Sequence, residues 1–231
     1  MAVREQFATA KKVVRPVVDL GLTRVRRPAG ERAFQVAADK AIAEGSLRVN
    51  IGSGGKPLAG WLNCDVVWRV NAFLDATRPW PLPDGSVDFI YADNVIEHIP
   101  LRLGRDLFRH AFAALKPGGV FRLATPDVEA VARQYLENGE LAELGMQRNR
   151  EKGRDFDHPV QLLQQVFVGA KHYLGFCYDF DSLSREMQAA GYQTRRQNAG
   201  VSDHADLVGL EARLHPAEEA TVLIVEGRKP R

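Results

Sequence analysis

The sequence predicts an α/β protein built on a Rossmann-like, doubly wound sheet of about seven mostly parallel strands. Three observations predict it. Short apolar runs of strand length alternate along the chain with amphipathic helical segments. The first such run ends in a glycine turn, "LRVNIGSGGK". The polar residues best suited to chemistry, Asp65, Asn94 and the Pro126-Asp127 pair, fall where predicted strands finish, which is where open α/β sheets place their ligands. At 231 residues, 45% of them apolar and 26% charged, the chain has room for one substantial core.

The elements follow in order. "RAFQVAADKAIAEG" (32–45) carries apolar residues at helical spacing and stops at Gly45. "LRVNI" (47–51) is a short buried strand, and "WLNCDV" (61–66) a second. "RPWPLPDGSVD" (78–88) holds three prolines and an Asp-Gly pair, so it reads as a loop; Trp80 within it reads as a lid or core aromatic. "DFIYADNVIEHI" (88–99) begins as a third strand and passes into a helix near Asn94. "LGRDLFRHAFAALKPGG" (103–119) places Leu107, Ala111, Ala114 and Leu115 on one helical face and is stopped by Pro117-Gly118-Gly119. "VFRLATPD" (120–127) is a fourth strand, with a helix following from Asp127. Residues 138–160 are polar and charged and read as a mobile insertion or lid. "FDSLSREMQAAGY" (180–192) is a helix with a glycine stop, leading into "YQTRRQ", and "ATVLIVEGRKP" (220–230) supplies the last strand. The expected organisation is a basic N-terminal arm and helix over 1–46, then one domain over 47–231 with a polar lid around 138–178.

Composition excludes several classes. No apolar run reaches the roughly 18 residues of a membrane span. The N-terminus has charge but no continuous apolar stretch or small-residue cleavage site, so no secretory signal is expected. Cys64 and Cys177 form no CxxC pattern, which argues against a structural disulfide or zinc site and for a reducing cytoplasm. A net charge of +2 gives no polyanion signal, and no nucleic-acid-binding module is present. Charge is uneven, however: residues 1–48 carry +5 and the remainder −3. "KKVVRPVVDLGLTRVRR" (11–27) reads as an arm with solvated charges, with weak contact to an anionic membrane surface as the second reading.

The glycine turn decides the ligand class. A dinucleotide fingerprint reads G-x-G-x-x-G with an acid about twenty residues on. Gly52-Ser53-Gly54 supplies only its first half, Pro57 stands where the third glycine belongs, and Asp65 follows Gly54 by eleven residues. Ten residues, Gly52 to Trp61, separate the two strands, so any helix between them is one or two turns or absent. A pyrophosphate needs a helix N-terminus aimed at it, and this stretch offers little of one. An adenosine without phosphate fits better: the glycines let the backbone approach closely, and the Asp65 carboxylate accepts from ribose hydroxyls.

"NIGSGGKPLAGWLNCD", "DATRPWPLPDGSVDFIYADNVIEHI" and "ALKPGGVFRLATPDVE", in that order, resemble the class I S-adenosylmethionine-dependent methyltransferases. The likeness is strongest to the small bacterial, type 11-like group whose first motif reads N-I-G-x-G followed by G-W-x-N-x-D. It covers residues 47–130 well and continues more weakly through "HYLGFCYDFDSLSREMQAAGY". The resemblance implies the class I methyltransferase fold and S-adenosyl-L-methionine as cofactor. It implies that Gly52, Ser53 and Gly54 pass the methionine part, that Asp65 takes the ribose, and that Asp75, followed by Ala76, faces the adenine amino group. Asn94 would lie beside the methionine moiety, with His98 one helical turn on. This chain departs from the family at Asn50, which stands where the usual acid precedes the first glycine; its carbonyl can still accept from an ammonium.

Transfer to a hydroxyl is helped by a general base. The candidates are His172, His158, His98 and Asp127, with His172 and His158 favoured because both lie in the region that caps the acceptor side in related enzymes. Asp127, Asp155 and Asp157 have no tight ligand spacing, so no metal is expected. The glutamines of the lid (Gln161, Gln164, Gln165) suit a hydroxylated small molecule or saccharide as acceptor, and O-methylation is the expected reaction. Two other classes stay open: a cofactor-binding module without catalysis, which Asn50 and the trimmed crossover permit, and a nicotinamide-dependent oxidoreductase, which Pro57 opposes.

Overall fold

The computed structural model describes residues 25–67, 70–169, 172–211 and 215–231. Most of the basic N-terminal segment, residues 1–24, lies outside the described residues. A helix, α1, covers 25–43 and buries Phe34 and Ala38. Seven strands then form one sheet: β1 (Arg48–Ile51), β2 (Leu62–Asp65), β3 (Ala72–Phe73), β4 (Val87–Asp93), β5 (Leu115–Pro126), β6 (Gln193–Gln197) and β7 (Val222–Arg228). Their order across the sheet is β3-β2-β1-β4-β5-β7-β6. All neighbours from β3 to β5 are parallel, and β7 runs antiparallel to both β5 and β6. This is the mostly parallel, seven-stranded architecture that the alternating pattern predicts. The order reverses at β1, so the crevice between the C-terminal ends of β1 and β4 is the place for a ligand.

Between the strands lie α2 (Leu101–Ala114), α3 (Val128–Glu137), α4 (Glu140–Glu151), α5 (Val160–Gln164), α6 (Phe180–Ala189) and the one-turn α7 (Pro216–Glu219). The main core joins sheet residues Val49, Ile90, Phe121 and Val225 to Phe108 and Ala111 of α2 and to Leu183 and Met187 of α6. Burial of a large apolar side chain of this kind contributes about 1.5–3 kcal/mol. One buried feature is ionic: Arg122 on β5 is fully buried between Glu211, whose Oε1 and Oε2 accept its Nε and Nη2 at 2.6 Å each, and Glu226 on β7, reached by Nη1 at 2.6 Å.

Three boundaries differ from expectation. The helix expected to run to Gly119 ends at Ala114; Leu115 is already extended and pairs with Val87 as the start of β5. Lys116 precedes Pro117, whose ring disfavours the helical region for the residue before it. At the end of β4 the chain does not run straight into a helix. Asn94 sits at φ 54°, a 3₁₀ turn spans Ile96–His98, and α2 opens only after Pro100. Residues 138–160 contain α4, which buries Ala142, Gly145 and Met146. Those residues join Val131, Phe156, Leu162 and Val166 in a second, smaller core that ties α3, α4 and α5 together. No helix among the described residues is long and apolar enough to cross a membrane.

Candidate functional site

The glycine turn follows from β1 and its crossover. Gly52 takes φ 65° and Gly54 φ 49°, a left-handed backbone that costs other residues roughly 1–2 kcal/mol. A Cβ on Gly52 would lie 2.4 Å from Val95 Cγ2, so only glycine lets the turn pass under the end of β4. The ten residues from Gly52 to Trp61 contain no helix. The backbone N–H of Gly54 donates to Asp65 Oδ2 at 2.9 Å, and that of Val66 to Oδ1 at 2.6 Å. The carboxylate therefore faces the bend, and each oxygen keeps lone pairs for further donors.

Asn50 and Ser53 stand behind this surface. Asn50 is buried; its amide donates to Asn63 Oδ1 at 2.8 Å, and Asn63 in turn donates to the carbonyls of Leu58 and Trp61. It braces the crossover and is not among the residues lining the cavity. Ser53 donates its N–H to the Cys64 carbonyl, while its buried Oγ has no hydrogen-bond partner among the described residues. An unpaired buried hydroxyl is costly, and at this turn it leaves a polar atom available to a ligand or water.

A cavity of about 420 Å³ opens in front of the turn. Gly52, Asp65, Asp75, Ala76, Asn94 and His98 all line it, with Leu74, Val95 and Ile99 as apolar wall. Asp75 is held by its own loop: Oδ1 accepts from the N–H and Oγ1 of Thr77 at 3.1 and 2.7 Å, and Arg78 Nε lies 3.2 Å from Oδ2. The Ala76 carbonyl accepts from Trp80 Nε1 at 3.0 Å, which fixes Trp80 against the core. The arrangement offers carboxylates at two places along an elongated, partly apolar slot, a match for a sugar and a base. Among the described residues, those lining the slot include no cation and no helix N-terminus for a pyrophosphate. S-adenosyl-L-methionine fits these residues.

Asn94 is shared. It also lines a second cavity of about 190 Å³ with Pro126, Gln165, Val166 and His172, and a third of about 340 Å³ bordered by α4. His98 and His172 meet where the first two cavities adjoin, their ring centroids 4.6 Å apart and nearly perpendicular. His172 is buried, and its Nδ1 faces the Val166 carbonyl in close contact. A carbonyl accepts only, so Nδ1 is the donor in this contact. Burial, and secondarily His172, holds His98 below the usual histidine range, which keeps its imidazole neutral at neutral pH. Beneath the pair, Glu97 is fully buried and accepts from Thr125 Oγ1 at 3.1 Å. Ligand atoms of Glu97, His98 and His172 lie within 4.8 Å of one another, the donor set among the described residues suited to a metal ion.

Two candidates lie elsewhere. His158 is exposed, its backbone N–H donating to Gln161 Oε1 at 2.8 Å, and it lines none of these cavities. Asp127 is buried as the N-cap of α3: Oδ1 accepts from the N–H groups of Glu129 and Ala130, and Oδ2 from Arg196 Nη2 at 2.6 Å. Its placement is that of a helix cap. Sequence reasoning missed the cations of the third cavity, Arg148, Lys152 and Arg154. The first two stand four apart, one face of a helix, but that signal is lost among the many charges of residues 138–160.

A family model described as "Methyltransferase domain" matches residues 35–197. No curated protein matches the chain. Among solved structures, the chain is similar to a possible histamine N-methyltransferase from Thermotoga maritima, with 17% identity, 90% of this chain and 91% of that one covered, and a TM-score of 0.49. It is similar also to an S-adenosylmethionine-dependent methyltransferase from Mesorhizobium loti (15% identity, 85% and 100% covered, TM-score 0.47). A third is phosphoethanolamine N-methyltransferase 2 from Haemonchus contortus, solved with S-adenosyl-L-methionine (15% identity, TM-score 0.46); the match covers 81% of this chain and 49% of that enzyme, about half its length.

Proposed function

The chain belongs to the methyltransferase-domain family and uses S-adenosyl-L-methionine, and from that premise we propose that it transfers the methyl group to a hydroxyl of a small molecule or sugar. The observation that carries the acceptor chemistry is the His98–His172 pair, set where the 420 Å³ and 190 Å³ cavities adjoin at Asn94.

When bound, the cofactor supplies a methyl group already activated on a sulfonium. The chain's own residues hold and align. Asp65, with Gly54 beside it, holds the ribose hydroxyls through charge-assisted hydrogen bonds. Asp75 and the Ala76 backbone meet the adenine edge, and Gly52, Ser53 and Asn94 border the methionine part. His172 Nε2 takes the proton of the acceptor hydroxyl, and His98, neutral at its side, closes the cofactor side of the junction. Holding two reactants in line can account for about 7–11 kcal/mol of barrier, and the base for about 10²- to 10⁴-fold more. The region 138–178, which lines the acceptor side, acts as the lid over that side.

Calorimetry with S-adenosylhomocysteine tests the donor site. Asp65→Ala is expected to weaken binding by about tenfold or more, since a hydrogen bond to a charged group contributes about 1.5–3 kcal/mol; equal affinity in both proteins overturns the placement. For the acceptor, product masses from hydroxylated and amine panels are compared. His172→Gln is expected to lower kcat by about 10²-fold or more on hydroxyl acceptors with S-adenosylhomocysteine affinity kept. Methylation confined to amines overturns the O-methylation reading.

A further inference from the structure

The third cavity, on the far side of Asn94 from the cofactor site, has a charged wall. Arg148 on α4 and Lys152 at its C-terminus stand one turn apart, and Arg154 follows two residues later. Glu218 of α7 is the one carboxylate among the residues lining the cavity. It is shared: Lys152 Nζ lies 2.5 Å and Arg148 Nε 3.7 Å from the same Oε1. Arg148 Nε is buried and makes no hydrogen bond among the described residues. Glu151 touches Arg148 from outside the lining, at 3.5 Å from Nη1. Arg154 has no ion pair among the described residues; its Nη1 donates to Asn149 Oδ1, an uncharged partner in the same wall.

Among the described lining residues, three cations against one carboxylate leave an excess of two positive charges around about 340 Å³, with Glu151 outside the lining. Like charges held in a concave, partly desolvated wall repel, and a bound anion relieves that repulsion. The cavity is continuous with the methyl-transfer junction, because Pro126, Val131, Gln165, Val166, Glu218 and Thr221 line both it and the cavity that holds His172. We propose that this wall binds a phosphomonoester on the methyl acceptor, so that the substrate is a phosphorylated small molecule whose hydroxyl reaches His172. The dianion matches the excess charge, and two guanidinium groups supply the forked donors that phosphate oxygens accept. The proposal rests on the methyltransferase reading above and names the substrate class of that same site.

The test is calorimetry on the protein loaded with S-adenosylhomocysteine, with glucose 6-phosphate, glucuronate, glucose and inorganic phosphate as probes. Glucose 6-phosphate and inorganic phosphate are expected to bind about tenfold or more tightly than glucuronate, with no detectable heat from glucose, and to weaken as salt rises. Arg154→Gln, at an exposed residue with no ion pair to lose among the described residues, is expected to weaken phosphate-probe binding by about tenfold or more, with S-adenosylhomocysteine affinity and Tm unchanged; Lys152→Gln is expected to weaken it by a similar factor with S-adenosylhomocysteine affinity kept. Phosphate binding equal in wild type and Arg154→Gln, no phosphate binding at all, or glucuronate binding as tightly as glucose 6-phosphate overturns the proposal. The loading step reads the donor site separately: a protein that fails to take up S-adenosylhomocysteine overturns the methyltransferase placement instead.

Discussion

At the scale of single residues, the most demanding position is Arg122. A guanidinium with no solvent contact is tolerable only because Glu211 and Glu226 accept three of its N–H groups and the Asn198 and Val201 carbonyls accept from it as well. Burial alone would drive the proton off; the two carboxylates outweigh it and hold the charge above the usual arginine range. Removing one partner of such a set costs about 3–5 kcal/mol, because the remaining charges stay buried without compensation. Arg122→Met is therefore expected to lose that much stability in chemical denaturation, with S-adenosylhomocysteine affinity unchanged in the protein that remains folded, since Arg122 lines none of the three cavities. Nothing in "VFRLATPD" signals this residue's burial. An arginine in an otherwise apolar run reads as an outward-facing position until the antiparallel partner strand places Glu226 directly across from it.

Among the elements, α6 has the clearest local specification. Asp179 and Ser182 form a reciprocal capping box, the Asp179 side chain accepting the Ser182 N–H at 2.8 Å and Ser182 Oγ accepting the Asp179 N–H at 3.1 Å. Below the cap, Leu183 and Met187 are fully buried one turn apart. Substitution of such a cap costs about 0.5–2 kcal/mol. The hydrogen bonds from the Ser182 hydroxyl and N–H hold the Asp179 carboxyl below the usual carboxylate range. A depressed folded value means the stabilisation is fully present above the ordinary carboxylate range and is lost as pH falls through the folded value. Asp179→Ala is thus expected to lower Tm at neutral pH, and to lose less stability than wild type between about pH 5 and pH 3. This element was legible in the sequence because its period and its stop at Gly191 agree; the Asp179 cap adds to them in the structure. The end of α2 was not: Gly118 and Gly119 read as a helix terminator, whereas they belong to a strand whose pairing with β4 begins at Leu115, a long-range contact that no local signal carries.

For the whole molecule, the sheet and the grouping of Gly52, Asp65, Asp75 and Asn94 around one cavity follow from local patterns: alternating strands and helices, a glycine turn, and an acid at the next strand end. The proposed acceptor side rests on tertiary packing. The small core of Val131, Ala142, Met146, Phe156, Leu162 and Val166 folds the polar stretch 138–160 into helices that bring Arg148 and Lys152 to the same cavity system as His172, and apolar residues spaced that sparsely do not announce a core. His158 and His172 looked equivalent by composition. Only the fold separates a histidine on the surface from one set beside His98.

Asn94, the residue common to all three cavities, also constrains the order of events. With donor and acceptor placed as proposed above, Asn94 is a partition shared by their two chambers, so neither has to enter past the other. Steady-state velocities are accordingly expected to follow a random sequential pattern, with spent donor competing against fresh donor at any acceptor level. An obligatory queue, in which the acceptor engages only after the donor has docked, would mean that the two chambers are coupled through movement of that partition.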